Sequence, residues 1–236
     1  MNMSDSLTLA QVDRDGAIAE TLGGIDPDSR AGFLRKGAIL GGGIIGGGAV
    51  LSALFAEAGK AATANDVAIA NFALTLEYLE AEFYTEAVAM GALRNARVRR
   101  FARVVGAHER AHVSALKKML GSAAVAKPSF DFQGTTESEA AFKATAQVLE
   151  DTGVMAYAGQ APRIDANAVL TAALAIHTVE ARHAAWIRHI NGAPPAPVAF
   201  DQPKSMEQVL GVVASTGFIA STTTMTRSGQ NPSFTG

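Results

Sequence analysis

Cysteine is absent from the 236 residues. Disulfides, thiolate metal sites, Fe–S clusters and thiol nucleophiles are excluded together, so any metal must be held by His, Asp and Glu. Aromatic residues are scarce, at 6% with a single Trp and three Tyr, and charged residues reach only 18%, below the usual quarter of a globular chain. Twenty Lys and Arg stand against 22 Asp and Glu, a net charge of −2. The basic excess of a dedicated nucleic-acid binder is missing, and no nucleic-acid partner is expected. What the chain does have is apolar surface, 48% of its residues, together with 23 glycines. That is ample for a core and rules out a disordered, solvating chain.

Residues 1–28 form a polar N-terminal extension with five Asp and no sustained periodicity. Ser29-Arg30-Ala31-Gly32-Phe33-Leu34-Arg35-Lys36 then precedes an uncharged run of 20 residues, Gly37 to Ala56. As a helix that run would be about 30 Å long, the thickness of a bilayer core. A basic flank, an apolar stretch and small residues at Ala62-Thr63-Ala64 make the three-part layout of an export signal, to which residues 29–64 are assigned. The stretch SRAGFLRK resembles the twin-arginine export box, Ser-Arg-Arg-x-Phe-Leu-Lys, and departs from it at Ala31. Seven glycines lower the hydrophobicity of the run, as in a cleavable signal. The alternative is a membrane anchor at 37–56, because Gly42 and Gly46, or Gly43 and Gly47, have the spacing of a helix-pairing face. Either way the first 64 residues are expected to lie outside the folded domain, and the domain outside the cytoplasm, in the periplasm or cell envelope.

From Asn65 the pattern turns helical. Ile69, Ala73, Leu76, Glu80, Phe83 and Ala87 recur at three- and four-residue spacing, and similar stripes run through 98–120, 139–158 and 166–190. Thr136 with Glu139 reads as a capping box, Asn95 and Asp165 as N-caps. Gly91, Gly121, Gly159 and Gly192 read as helix stops. Four helices of about 20–26 residues result. The first and third links are short. The second, from Gly121 to about Thr135, contains Pro128 and can stretch about 50 Å, more than the length of a 24-residue helix. The expected fold class is all-α: a four-helix bundle over 65–192 with one long crossover. Residues 193–236 supply a Pro-containing linker, a short fifth helix around Ser205–Ile219 and a tail.

The chemistry lies in carboxylates set among apolar stripes. Glu77, then Glu109 with His112, then Glu150, then Glu180 with His183 fall on the four helices in turn. Each Glu-x-x-His places a carboxylate and an imidazole on one helix face. The order is the ligand inventory of a di-iron or di-manganese carboxylate bundle. Random placement of the 12 Glu and five His would give about 0.25 Glu-x-x-His pairs, and two are present. Tyr84 follows Glu77, and Tyr157 follows Glu150, at the same seven-residue interval, so the chain reads as a duplicated two-helix unit. Tyr84 and Tyr157 are the candidates for a redox or supporting role. Glu80, His108 and His177 neighbour the ligand faces. Four inward carboxylates cannot all stay charged and unpaired in a low-dielectric interior, whereas two divalent cations would balance them.

NFALTLEYLEAEFY, HERAHVSAL, LEDTGVMAYAG and HTVEARHAAWIRH resemble the ferritin-like superfamily, in particular bacterial exported ferritin-like proteins related to plant desiccation-related proteins. FDQPKSMEQVL resembles the segment that follows the bundle there. The resemblance implies two bound iron or manganese ions held by Glu77, Glu109, His112, Glu150, Glu180 and His183, with a tyrosine seven residues after the first ligand. Oxygen or peroxide is the implied reactant. If the protein is an enzyme, it is an oxidoreductase of ferroxidase or peroxidase/catalase type. The alternative is an iron-binding or structural stress protein without turnover, since one fold hosts many functions. Partners are then metal ions, oxygen or peroxide, a membrane under the anchor reading, and a second copy of the chain in a homo-oligomer.

Overall fold

A computed structural model describes residues 47–220. The polar extension 1–28, the arginine-containing flank, the first part of the apolar run and the tail after Ala220 lie outside the described residues. The chain divides into two units, Met1–Leu51 and Ser52–Gly236, and the fold below is that of the second. Six helices are described: α1 (Gly47–Ala61), α2 (Ala64–Met90), α3 (Ala96–Leu120), α4 (Glu139–Gln160), α5 (Asn167–Ile190) and α6 (Met206–Thr216). α2 packs on α3 and α4 on α5, two hairpins joined by the long crossover 121–138. A short ladder is added to the helices. Strand β1 (Ser129–Phe130) in the crossover pairs antiparallel with β2 (Ile219–Ala220) beyond α6, giving the extended backbone of the crossover hydrogen-bond partners.

The helix ends show where local chemistry acts. Thr63 and Asp66 form a reciprocal capping box at α2, and the same Asp66 carboxylate accepts from the backbone of Asp165 (2.8 Å) and Ala166 (3.3 Å). One buried side chain thus closes α2 and fixes the entry to α5. Asn95 caps α3, as expected, accepting from Arg97 N at 2.8 Å. At α4 the cap is Ser138, not Thr136. Thr136 instead donates to Glu86 at 2.6 Å, and Glu139 reaches Asn95 N at 2.6 Å. Asp165 does not cap α5; it accepts from Thr63 Oγ1 at 2.7 Å. Gly91 and Gly121 do end their helices at positive φ. Gly159 does not, because α4 continues to Gln160. A Cβ there would fall 1.8 Å from Lys204 O, so this glycine admits the backbone of the linker, whose Lys204 N donates to Met155 O at 3.1 Å.

The domain boundary expected at Asn65 falls inside packed structure. In α1, Phe55 is 3% and Ala58 0% exposed, in one cluster with Leu74, Leu116 and Met119. At Gly59 a Cβ would stand 2.3 Å from Met119 O, so α1 meets the end of α3 in backbone contact. An apolar run has no mark that tells a core partner from a lipid one. No helix among the described residues is long and apolar enough to cross a membrane.

Two apolar clusters fill the bundle, and the functional side chains lie between them. On α3 one cluster takes Val98, Phe101, Ala102 and Val105, the other Leu116, Met119 and Leu120; on α5 they take Ile187 and Val169, Ala172 and Ile176. The gaps in these two stripes hold Glu109 with His112, and Glu180 with His183.

Candidate metal centre

Four helices bring the six sequence-selected residues to one place. α2 supplies Glu77, α3 Glu109 and His112, α4 Glu150, and α5 Glu180 and His183. Both imidazoles turn Nδ1 inward. His112 Nδ1 lies 3.1 Å from Glu77 Oε2, 3.0 Å from Glu109 Oε2 and 3.1 Å from Glu180 Oε1. His183 Nδ1 lies 3.0 Å from Glu109 Oε1, 3.3 Å from Glu150 Oε2 and 3.7 Å from Glu180 Oε2. The donors fall into two sets, Glu77–Glu109–His112–Glu180 and Glu109–Glu150–Glu180–His183, with the ligand atoms of each within 4.8 Å of one another. Glu109 and Glu180 belong to both.

The chemistry of this donor set fits cations. Glu109 Oε1, Glu150 Oε2, both oxygens of Glu180 and His183 Nδ1 are buried without a hydrogen-bond partner, although they stand close together. Buried polar atoms are seldom left so. These atoms converge on a common space and are not aimed at one another. Six carboxylate and imidazole donors suit iron or manganese alike.

The two tyrosines hold the outer carboxylates crosswise. Tyr157 donates to Glu77 Oε1 at 2.6 Å, and Tyr84 donates to Glu150. Tyr84 is fully buried and packs edge-on to Phe83, Phe101 and Phe142. Tyr157 borders an apolar cavity of about 30 Å³, also lined by Phe55, Ile69, Leu116, Met119 and Gln160.

Two of the residues that the sequence set beside the ligand faces join the cluster. Glu80 is only 4% exposed and joins the cluster as a fifth carboxylate, outside both donor sets. Its i,i+3 relation to Glu77 was the available signal. It faces Gly153 of α4, where a Cβ would lie at ordinary contact distance, 3.5 Å from Glu80 Oε1 and 3.4 Å from Glu180 Oε2. The second is His108, whose Nδ1 lies 2.8 Å from His183 Nε2.

Charge in the metal-free cluster is shared unevenly. Burial and the neighbouring carboxylates push Glu80 and Glu109 well above the usual carboxylate range, and burial pushes Glu150 up to about 7. For Glu180 burial is outweighed by the two imidazoles beside it, which pull it down to about 2. Burial opposes the charged form of His183 and His112 too, but the surrounding carboxylates prevail, raising His183 to about 12 and His112 as well. Without metal, protonated imidazoles supply the positive charge that the site demands.

A family model for the ferritin-like domain matches residues 65–193, more than half of the chain. The chain belongs to the ferritin-like domain family. No curated protein matches it. The ferritin-like span takes in the four bundle helices and the whole carboxylate cluster, while α1 and α6 stand outside it.

Proposed function

We propose that this ferritin-like protein is an exported di-metal carboxylate protein that handles iron, oxygen or peroxide in stress protection, in the manner of bacterial relatives of plant desiccation-related proteins. The observation that carries the reading is the sharing of Glu109 and Glu180 between two four-residue donor sets. Carboxylates common to both sets would let two cations be held side by side. Glu77 and His112 complete one half, Glu150 and His183 the other. Two iron or manganese ions held there would supply one-electron chemistry towards oxygen or peroxide. The chain's own part is positioning: Tyr157 fixes Glu77, Tyr84 fixes Glu150, and the apolar clusters on either side keep bulk water away.

The decisive measurement is metal content of the purified full chain, together with oxygen and peroxide consumption. Two iron or manganese ions per chain, reduced to fewer than two by Glu180→Ala and unaffected by Glu82→Ala, is the expected result. Glu82 is the control because it pairs with Lys127 at the surface. A chain that takes up neither metal sinks the reading. Export is tested separately, by a reporter active only outside the cytoplasm fused after residue 220.

A further inference from the structure

We propose that His108 makes the two halves of the centre unequal, so that the half containing His183 binds its ion first and more tightly. The inference rests on the di-metal reading and adds an order of loading to it.

His183 turns Nδ1 towards Glu109 and Glu150, leaving Nε2 to face His108 Nδ1 at 2.8 Å. The two rings meet edge to edge, with centroids 5.1 Å apart and planes 20° off parallel. A neutral imidazole that ligates through Nδ1 carries its proton on Nε2. His183 Nε2 must then donate, and His108 Nδ1 must accept. Such an acceptor behind a ligating imidazole locks the tautomer, fixes the ring and raises its basicity.

His112 has no such support. Its Nδ1 meets Glu77, Glu109 and Glu180, and no protein acceptor faces its Nε2 among the described residues. The duplication shows where the difference arose. The step along the chain that carries Glu109 to Glu180 and His112 to His183 carries His108 to Val179, a side chain with nothing to accept a proton. Two halves alike in their ligands therefore differ one layer out.

The test is calorimetric titration of the metal-free full chain with Mn(II), read as two stepwise affinities. Wild type should bind two ions in steps at least about tenfold apart. His108→Leu should weaken the tighter step by about 10–100-fold, and His108→Asn, which keeps an acceptor oxygen, should restore most of it. Because His108 is exposed at its outer edge, neither change empties a core position. Glu77→Ala removes a donor from the His112 half alone and should spare the tighter step, whereas Glu150→Ala should abolish it. Two equal affinities in wild type, an unchanged tighter step in His108→Leu, or the reverse pattern for Glu77 and Glu150 overturns the proposal while two-ion binding stands. Fewer than two ions per wild-type chain overturns the di-metal reading itself, and this inference with it.

Discussion

Tyr157 reaches across the bundle to Glu77, with its hydroxyl 2.6 Å from Oε1. Seven residues after Glu77 stands a different tyrosine, Tyr84, and that one serves Glu150. Each repeat thus furnishes the phenol that steadies the other repeat's single glutamate. The two hairpins depend on each other at the site, beyond the apolar contacts between them.

Removing either phenol leaves a buried carboxylate oxygen without its donor. Tyr157→Phe should destabilise the metal-free protein by about 1–3 kcal/mol, and Tyr84→Phe should do the same through Glu150. Urea unfolding in the presence of chelator measures both. The loss should shrink when metal is bound, because the carboxylates then have another partner.

The metal-free protein should lose stability as pH rises from about 5 to 8. Glu150, raised from 4.5 to about 7, keeps a proton when folded that the unfolded chain has released, so folding weakens across that interval. His183, raised from 6.5 to about 12, contributes fully below 6.5 and progressively less above it. Glu180 acts in the opposite direction: lowered from 4.5 to about 2, it stabilises above 4.5 and loses that effect as pH falls. Melting temperature with chelator should therefore peak near pH 4.5 and decline towards pH 8. A climb over the same range would contradict this assignment of charge.

Two glycines in helices should respond to alanine with opposite signs. Gly211 in α6 has open space around it, so Gly211→Ala should stabilise by about 0.5–1 kcal/mol. At Gly159 the new methyl would meet Lys204 O, and overpacking of about 1–3 kcal/mol should exceed the helical gain. Thermal melts of the two variants, side by side, give the answer.

Asp66 should matter more than an ordinary cap. Asp66→Ala removes the acceptor for Thr63 N and for the two backbone amides that lead into α5. A loss towards about 2 kcal/mol is expected, the upper end for a cap, against a small change for Glu57→Ala, an exposed residue paired with the exposed Lys60. Denaturant midpoints would show the contrast.

Much of the centre was legible in the sequence because its geometry is local. Glu-x-x-His sets two donors on one helix face whatever lies opposite, and four apolar stripes leave few ways to point them. The features that were not legible depend on a second element. Seven-residue spacing put Tyr84 on the face of Glu77 but could not show that its hydroxyl would go to Glu150. That Glu80 would face Gly153 of another helix is not written in its own helix. Gly159 had the look of a stop, and the linker backbone packed against it decided otherwise. Ser138 displaced Thr136 as a cap because Glu86 had claimed the threonine hydroxyl.

Phe55 of α1 forms part of the wall of the cavity that ends on Tyr157. Loss of α1 would take that wall away and leave Leu116 and Met119 without their neighbour. Such a loss would be an unsealing, since it would bare the flank of the phenol that anchors Glu77. With α1 in place, the chain carries its own stopper.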